Sequence, residues 1–86
     1  MNSIEKILKA LANKRRLAIV KYLDSKKGAS VGDIAEAIKL SFRSTSRHLR
    51  VLSSVDIIEG SQIGLTVIYK LTVPKNDFVS MVINKF

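Results

Sequence analysis

At 86 residues the chain has room for one domain and one core, and 47% hydrophobic residues fit a folded domain rather than a disordered tail. No run approaches the ~20 apolar residues of a bilayer span, and the absence of cysteine excludes disulfides, zinc fingers and thiol redox sensing. The net charge of +8 is unevenly placed: residues 13–27 carry +5 and residues 39–50 carry +4, and all five arginines lie in those blocks, the footprint of a polyanion partner.

The start, MNSIEKILKALANKRR, mixes charges with apolar residues, so it lacks the apolar block of a signal peptide and a cytoplasmic location is expected. Ile4, Ile7, Leu8 and Leu11 form the i, i+3, i+4, i+7 stripe of a helix over about 3–12. Asn13 is a natural N-cap for a second helix over about 14–25, whose apolar face holds Leu17, Ile19, Val20 and Leu23. SKKG closes it, with Gly28 suited to the cap. Ser30 and Asp33 stand at capping-box-like spacing at the head of a short third helix, which turns Ile34, Ala35 and Ile38 inward.

KLS is then a tight turn, and Ser41 caps a fourth helix running to about Ser54. Beyond it the period becomes alternating. DIIEG and LTVIYKL flank the tip SQIG as a hairpin, with Leu65, Val67, Tyr69 and Leu71 on one face. Pro74 breaks the strand, and a last helix over about 76–85 carries Phe78, Val79, Val82 and Phe86 along one side. Five helices and two to three short strands in this order predict a single, mainly α domain over 1–86, a winged helix-turn-helix with a small β-hairpin wing.

On a helical wheel of the fourth helix, Leu49 and Leu52 fall within about 40° of Thr45 and define the inner face, while Arg43, Arg47 and Arg50 share an arc about 60° wide on the opposite side. The spacings i, i+4 and i, i+3 make each neighbouring pair repel, and residues 39–50 contain no acid to offset it. A phosphate-lined groove would. An α-helix fits the major groove of duplex DNA, and arginine pairs bidentately with guanine. Arg43, Ser44, Ser46 and Arg47 are therefore placed at base edges and Arg50 at base or phosphate, with Ser41 capping the helix within reach of a phosphate. His48, on the shoulder of the inner face, reads as structural or as a phosphate donor. Phe42 reads as packed at the helix start, with a thymine methyl as the other option.

Lys14, Arg15 and Arg16 open the second helix, where cations oppose its own dipole. They are expected to act beyond that helix, on phosphate or on an acid elsewhere.

With LKALANKRRLAIVKYL, ASVGDIAEAIKLS, STSRHLRVLSSVDIIE and VIYKL in place, the chain from about Ile4 to Leu71 resembles the ArsR/SmtB family of winged-helix repressors. The resemblance implies a homodimer joined through its terminal helices on a two-fold symmetric operator, with Ile4, Ile7, Leu8, Leu11, Phe78, Val82 and Phe86 at the interface; the alternative is packing of those helices within one chain. Without the family's cysteines, and with Asp77 but no histidine in the last helix, no metal switch and no cofactor are expected. Lys39 stands where the family often has glycine, so a left-handed conformation there would carry strain. The wing tip GSQIG is uncharged, which limits wing contacts to Gln62 or Ser61.

These features point to a sequence-specific double-stranded DNA-binding regulator, most simply a homodimeric repressor. The alternative is a winged-helix assembly module whose basic face meets an acidic protein. RNA is disfavoured because the basic face has little aromatic surface for stacking bases. One histidine, no glycine-rich phosphate loop and no nucleophile–base pair argue against an enzyme.

Overall fold

A computed structural model describes residues 3–85. In chain order these form α1 (Ile4–Leu11), α2 (Lys14–Ser25), β1 (Ala29–Ser30), α3 (Val31–Ile38), α4 (Phe42–Ser54), β2 (Ile58–Ile63), β3 (Thr66–Leu71) and α5 (Asp77–Lys85). The antiparallel sheet has the order β1-β3-β2. This is the winged helix-turn-helix that the element order predicts.

The helices start where short polar side chains can satisfy the free N–H groups. Ser3, Asn13, Ser30 and Ser41 each accept from a backbone nitrogen in the first turn of α1, α2, α3 and α4. Asn76 does the same for Phe78 at α5.

Two helix ends share one device. At the end of α3 the Leu40 N–H donates to Ala35 O and the Lys39 N–H to Glu36 O; at the end of α4 Ile57 donates to Leu52 O and Asp56 to Ser53 O. This is the Schellman pairing, and it places Lys39 (φ 56°) and Asp56 (φ 59°) in the left-handed region. The condition for strain at Lys39 is therefore met, at about 1–2 kcal/mol. Lys39→Gly is expected to raise stability by about 1 kcal/mol, less than the full strain because glycine gains freedom in the unfolded chain. Urea unfolding checks this, and an unchanged midpoint would mean the lysine sits there without cost.

One core unites the elements. Ile7 and Leu11 of α1, Ile19, Val20 and Leu23 of α2, Ile34 of α3, Leu49 and Leu52 of α4, Ile58, Leu71 and Val79 are all buried in a single cluster. Thr45, Leu49 and Leu52 form the buried face of α4, so the wheel orients that helix correctly.

The structure corrects several local expectations. The hairpin turns at Gly64–Leu65 rather than over SQIG, since Ile63 pairs with Thr66. Gly64 has φ +64°, the backbone that a two-residue hairpin turn needs at its first position. Leu65 therefore leaves the strand face and is fully exposed at the tip. Gly28 does not cap α2, whose cap is Lys26 in extended conformation. Its role is spatial: a Cβ at Gly28 would stand 2.8 Å from Ile68 Cγ2, so glycine lets the chain run close against β3.

The terminal helices α1 and α5 pack against each other within one chain. Ile7 and Leu11, expected at a dimer interface, are buried in that chain's own core. Phe78 and Val82 are half-buried against the same core. Ile4 (60% exposed), Leu8 (44%) and Met81 (51%) remain as an uncovered apolar surface on these helices. Phe86 lies outside the described residues.

Candidate nucleic-acid interface

Helix α4 lies with Arg43, Arg47 and Arg50 exposed along its outer side. Among the described residues none of the three guanidinium groups has a hydrogen-bond or ion-pair partner; the ion pairs present join Lys70 to Glu59 and Lys75 to Asp24. The like charges that repel along the helix are thus uncompensated among the described residues. Ser44 and Ser46 are half-exposed on the same helix, and the Ser41 hydroxyl accepts from the Ser44 N–H at 3.1 Å, fixing the helix start. Between α4 and the wing, Ser46, Arg50, Ser53, Ser54 and Tyr69 line an open groove of about 490 Å³.

The first basic block behaves differently. The Arg16 guanidinium donates through Nε to Ala10 O and through Nη2 to Lys9 O at 3.2 Å, and its Nη1 lies 3.2 Å from His48 Nδ1. Arg15 Nη1 donates to Ile38 O at 3.4 Å. Both residues sit unfavourably at the positive end of α2 and reach the negative C-terminal ends of α1 and α3, where cations are stabilising. The partners they meet within the chain are helix-end carbonyls rather than an acid. Of Lys14, Arg15 and Arg16 only Lys14 is exposed; it lines a shallow apolar groove with Leu17, Lys21, Tyr22 and Ile38.

His48 ties the two basic blocks together. Burial first, then the nearby Arg16, Arg15 and Arg47 charges, push its imidazole below the ordinary histidine value. A neutral ring that accepts at Nδ1 from Arg16 carries its proton on Nε2. Because the folded state binds this proton less readily than the unfolded chain, the His48 contribution to stability is complete above pH ~6.5 and is lost as pH falls through the lowered folded value. His48 is the single histidine in the chain. Urea midpoints are expected to fall between pH 7.5 and 5.5 in the wild type and to stay flatter in His48→Gln; parallel curves would remove His48 from that role.

In the wing, Gln62 is exposed but its amide nitrogen donates to Gly64 O at 3.0 Å, so one end of that side chain holds the turn. Ser61 is exposed on the same strand. Phe42, expected to pack at the helix start, is 63% exposed. Among the described residues no group of three or more His, Cys, Asp or Glu side chains could hold a metal ion, and no helix is long and apolar enough to cross a membrane.

A family model described as a helix-turn-helix domain matches residues 11–61. The transcriptional regulator HlyU from Vibrio vulnificus CMCP6 superposes with a TM-score of 0.77 at 32% identity, covering 93% of this chain and 79% of that one. A homodimeric winged helix-turn-helix DNA-binding domain from Mycobacterium bovis, from a possible ArsR-family transcriptional regulator, superposes with a TM-score of 0.80 at 27% identity over 95% of this chain and 72% of that chain. This chain belongs to the ArsR-like winged helix-turn-helix proteins. A predicted DNA-binding transcriptional regulator from E. coli is also similar to this ArsR-like protein, with a TM-score of 0.78 and 28% identity over 92% of this chain and 80% of that one. No curated protein sequence matches it.

Sequence reasoning missed the helix-capping work of Arg15 and Arg16 in this ArsR-like fold. The one available signal was their unfavourable position at the head of α2, which demanded an external partner without naming it.

Proposed function

We propose that the protein is a homodimeric, sequence-specific DNA-binding regulator of transcription, of the repressor type that the family resemblance implies. The observation that carries this reading is the row of Arg43, Arg47 and Arg50, exposed on α4 with no partner among the described residues. In this reading α4 enters the major groove. Arg43, Ser44, Ser46 and Arg47 meet base edges, and Arg50, Ser41, Lys14 and His48 Nε2–H serve base or backbone. Gln62 and Ser61 supply what little the neutral wing offers.

The uncovered Ile4, Leu8 and Met81 surface on α1 and α5 suits a second copy, and the similar Mycobacterium bovis domain is homodimeric. Two copies related by a two-fold axis call for a symmetric operator.

Selection from a random duplex library at physiological salt tests the whole reading. A symmetric enriched motif is expected. Enrichment of nothing would overturn it in favour of a basic face that docks an acidic protein. On the selected site, Arg47→Ala is expected to relax preference at one position in each half-site, at a cost of roughly 1–3 kcal/mol. Equal weakening on every sequence would reassign Arg47 to a phosphate.

A further inference from the structure

Phe42 is the first residue of α4, and the residue is nearly two thirds exposed. It is absent from the core cluster and from the half-buried residues packed on it. Its surroundings are apolar but open: with Val31, Leu65 and Val67 it lines a groove of about 390 Å³ between the start of α3, the start of α4 and the wing tip. An aromatic ring left there forfeits hydrophobic stabilisation unless something outside the chain covers it.

A second copy is poorly placed to do so. The dimer surface belongs to α1 and α5, and α1 meets α4 at its far end, where Val51, Ser54 and Val55 share a groove with Lys6, Lys9 and Ala10. Thirteen residues of helix separate the two ends, about 18 Å at the α-helical rise. What does lie beside Phe42 is the DNA-facing machinery: Arg43 follows it directly, and Ser41, the helix cap, precedes it. A recognition helix leads into the major groove with its N-terminal turn, so first-turn side chains approach base edges.

Those edges are almost wholly polar. The one apolar group that a duplex displays in the major groove is the thymine C5-methyl, and a phenyl ring has no donor or acceptor with which to read anything else. The geometry points to Phe42 as a specificity-determining residue that covers a thymine methyl group in each half-site. This rests on the reading of α4 as the major-groove helix.

The test uses the duplex selected from the random library, with each thymine replaced singly by deoxyuridine, which deletes the methyl and keeps every hydrogen-bonding group. One thymine position per half-site is expected to lose about fourfold in wild-type affinity on replacement, the equivalent of one buried methyl. Phe42→Ala is expected to bind the thymine and uracil duplexes equally while melting like the wild type. The base replacement reads the contact on the unaltered protein, so the result does not depend on the variant. The inference is overturned if a selected site contains no sensitive thymine, or if F42A keeps the wild-type preference for thymine over uracil. Failure to select any site would instead overturn the reading of α4 itself, and this assignment with it.

Discussion

Raising salt from 50 to 200 mM is expected to weaken the complex with a selected duplex by about 10²-fold or more, the loss that accompanies neutralisation of at least four phosphates by Arg50 and Lys14 of two copies. The source is counterion release: each cation that takes a phosphate frees condensed salt ions, so the logarithm of affinity falls linearly with that of salt concentration. Two copies of a chain carrying +8 provide the attraction, and the structure narrows where it acts. Arg15 and Arg16 are occupied by the C-terminal ends of α3 and α1. The slope should therefore respond to Arg50 and Lys14 far more than to Arg16. Fluorescence titrations across that salt range give the slope directly. An affinity that barely moved with salt would mean that Arg50 and Lys14 do not meet phosphates, and the proposed function would fail.

Arg16→Ala is expected to lower stability by about 2 kcal/mol, the scale of one hydrogen bond to a charged group. In a domain of this size that is a fall of roughly 10 °C in Tm. The variant removes a side chain that reaches Ala10 O, Lys9 O and His48 Nδ1 together. Water can replace it at the exposed Lys9 carbonyl but less well at the part-buried Ala10 carbonyl, which is why the loss is smaller than the sum of three bonds. Arg16→Lys should recover only a part, because an ammonium group cannot present the planar fork that addresses three acceptors. Thermal melting distinguishes this role from the phosphate contact expected from sequence. A variant with wild-type Tm and weaker DNA binding would restore Arg16 to the interface.

The distinction between the two basic blocks shows where sequence reading succeeds. The arginines of α4 and its inner residues Thr45, Leu49 and Leu52 follow from one angular period, so their opposite faces can be drawn before any fold is known. The caps at Asn13, Ser30 and Ser41 follow from a similar local rule, since each accepts from a nitrogen two or three residues away. The register of the hairpin was harder. SQIG reads as the tip, and only the pairing of Ile63 with Thr66 moves the turn to Gly64–Leu65.

By itself, then, the sequence determined the helices, their inward and outward faces, the order that makes a winged helix-turn-helix, and the row of arginines that marks its candidate nucleic-acid surface. These depend on spacings of two to four residues, over which backbone geometry alone decides what faces what. Tertiary structure decided the rest: that Arg16 joins α1 to His48 across 32 positions, that Ile7 and Leu11 are spent on the protein's own core, and that Phe42 is left uncovered. Such partners come together only when whole elements pack, and the same residue pattern is compatible with several of them until the core fixes one.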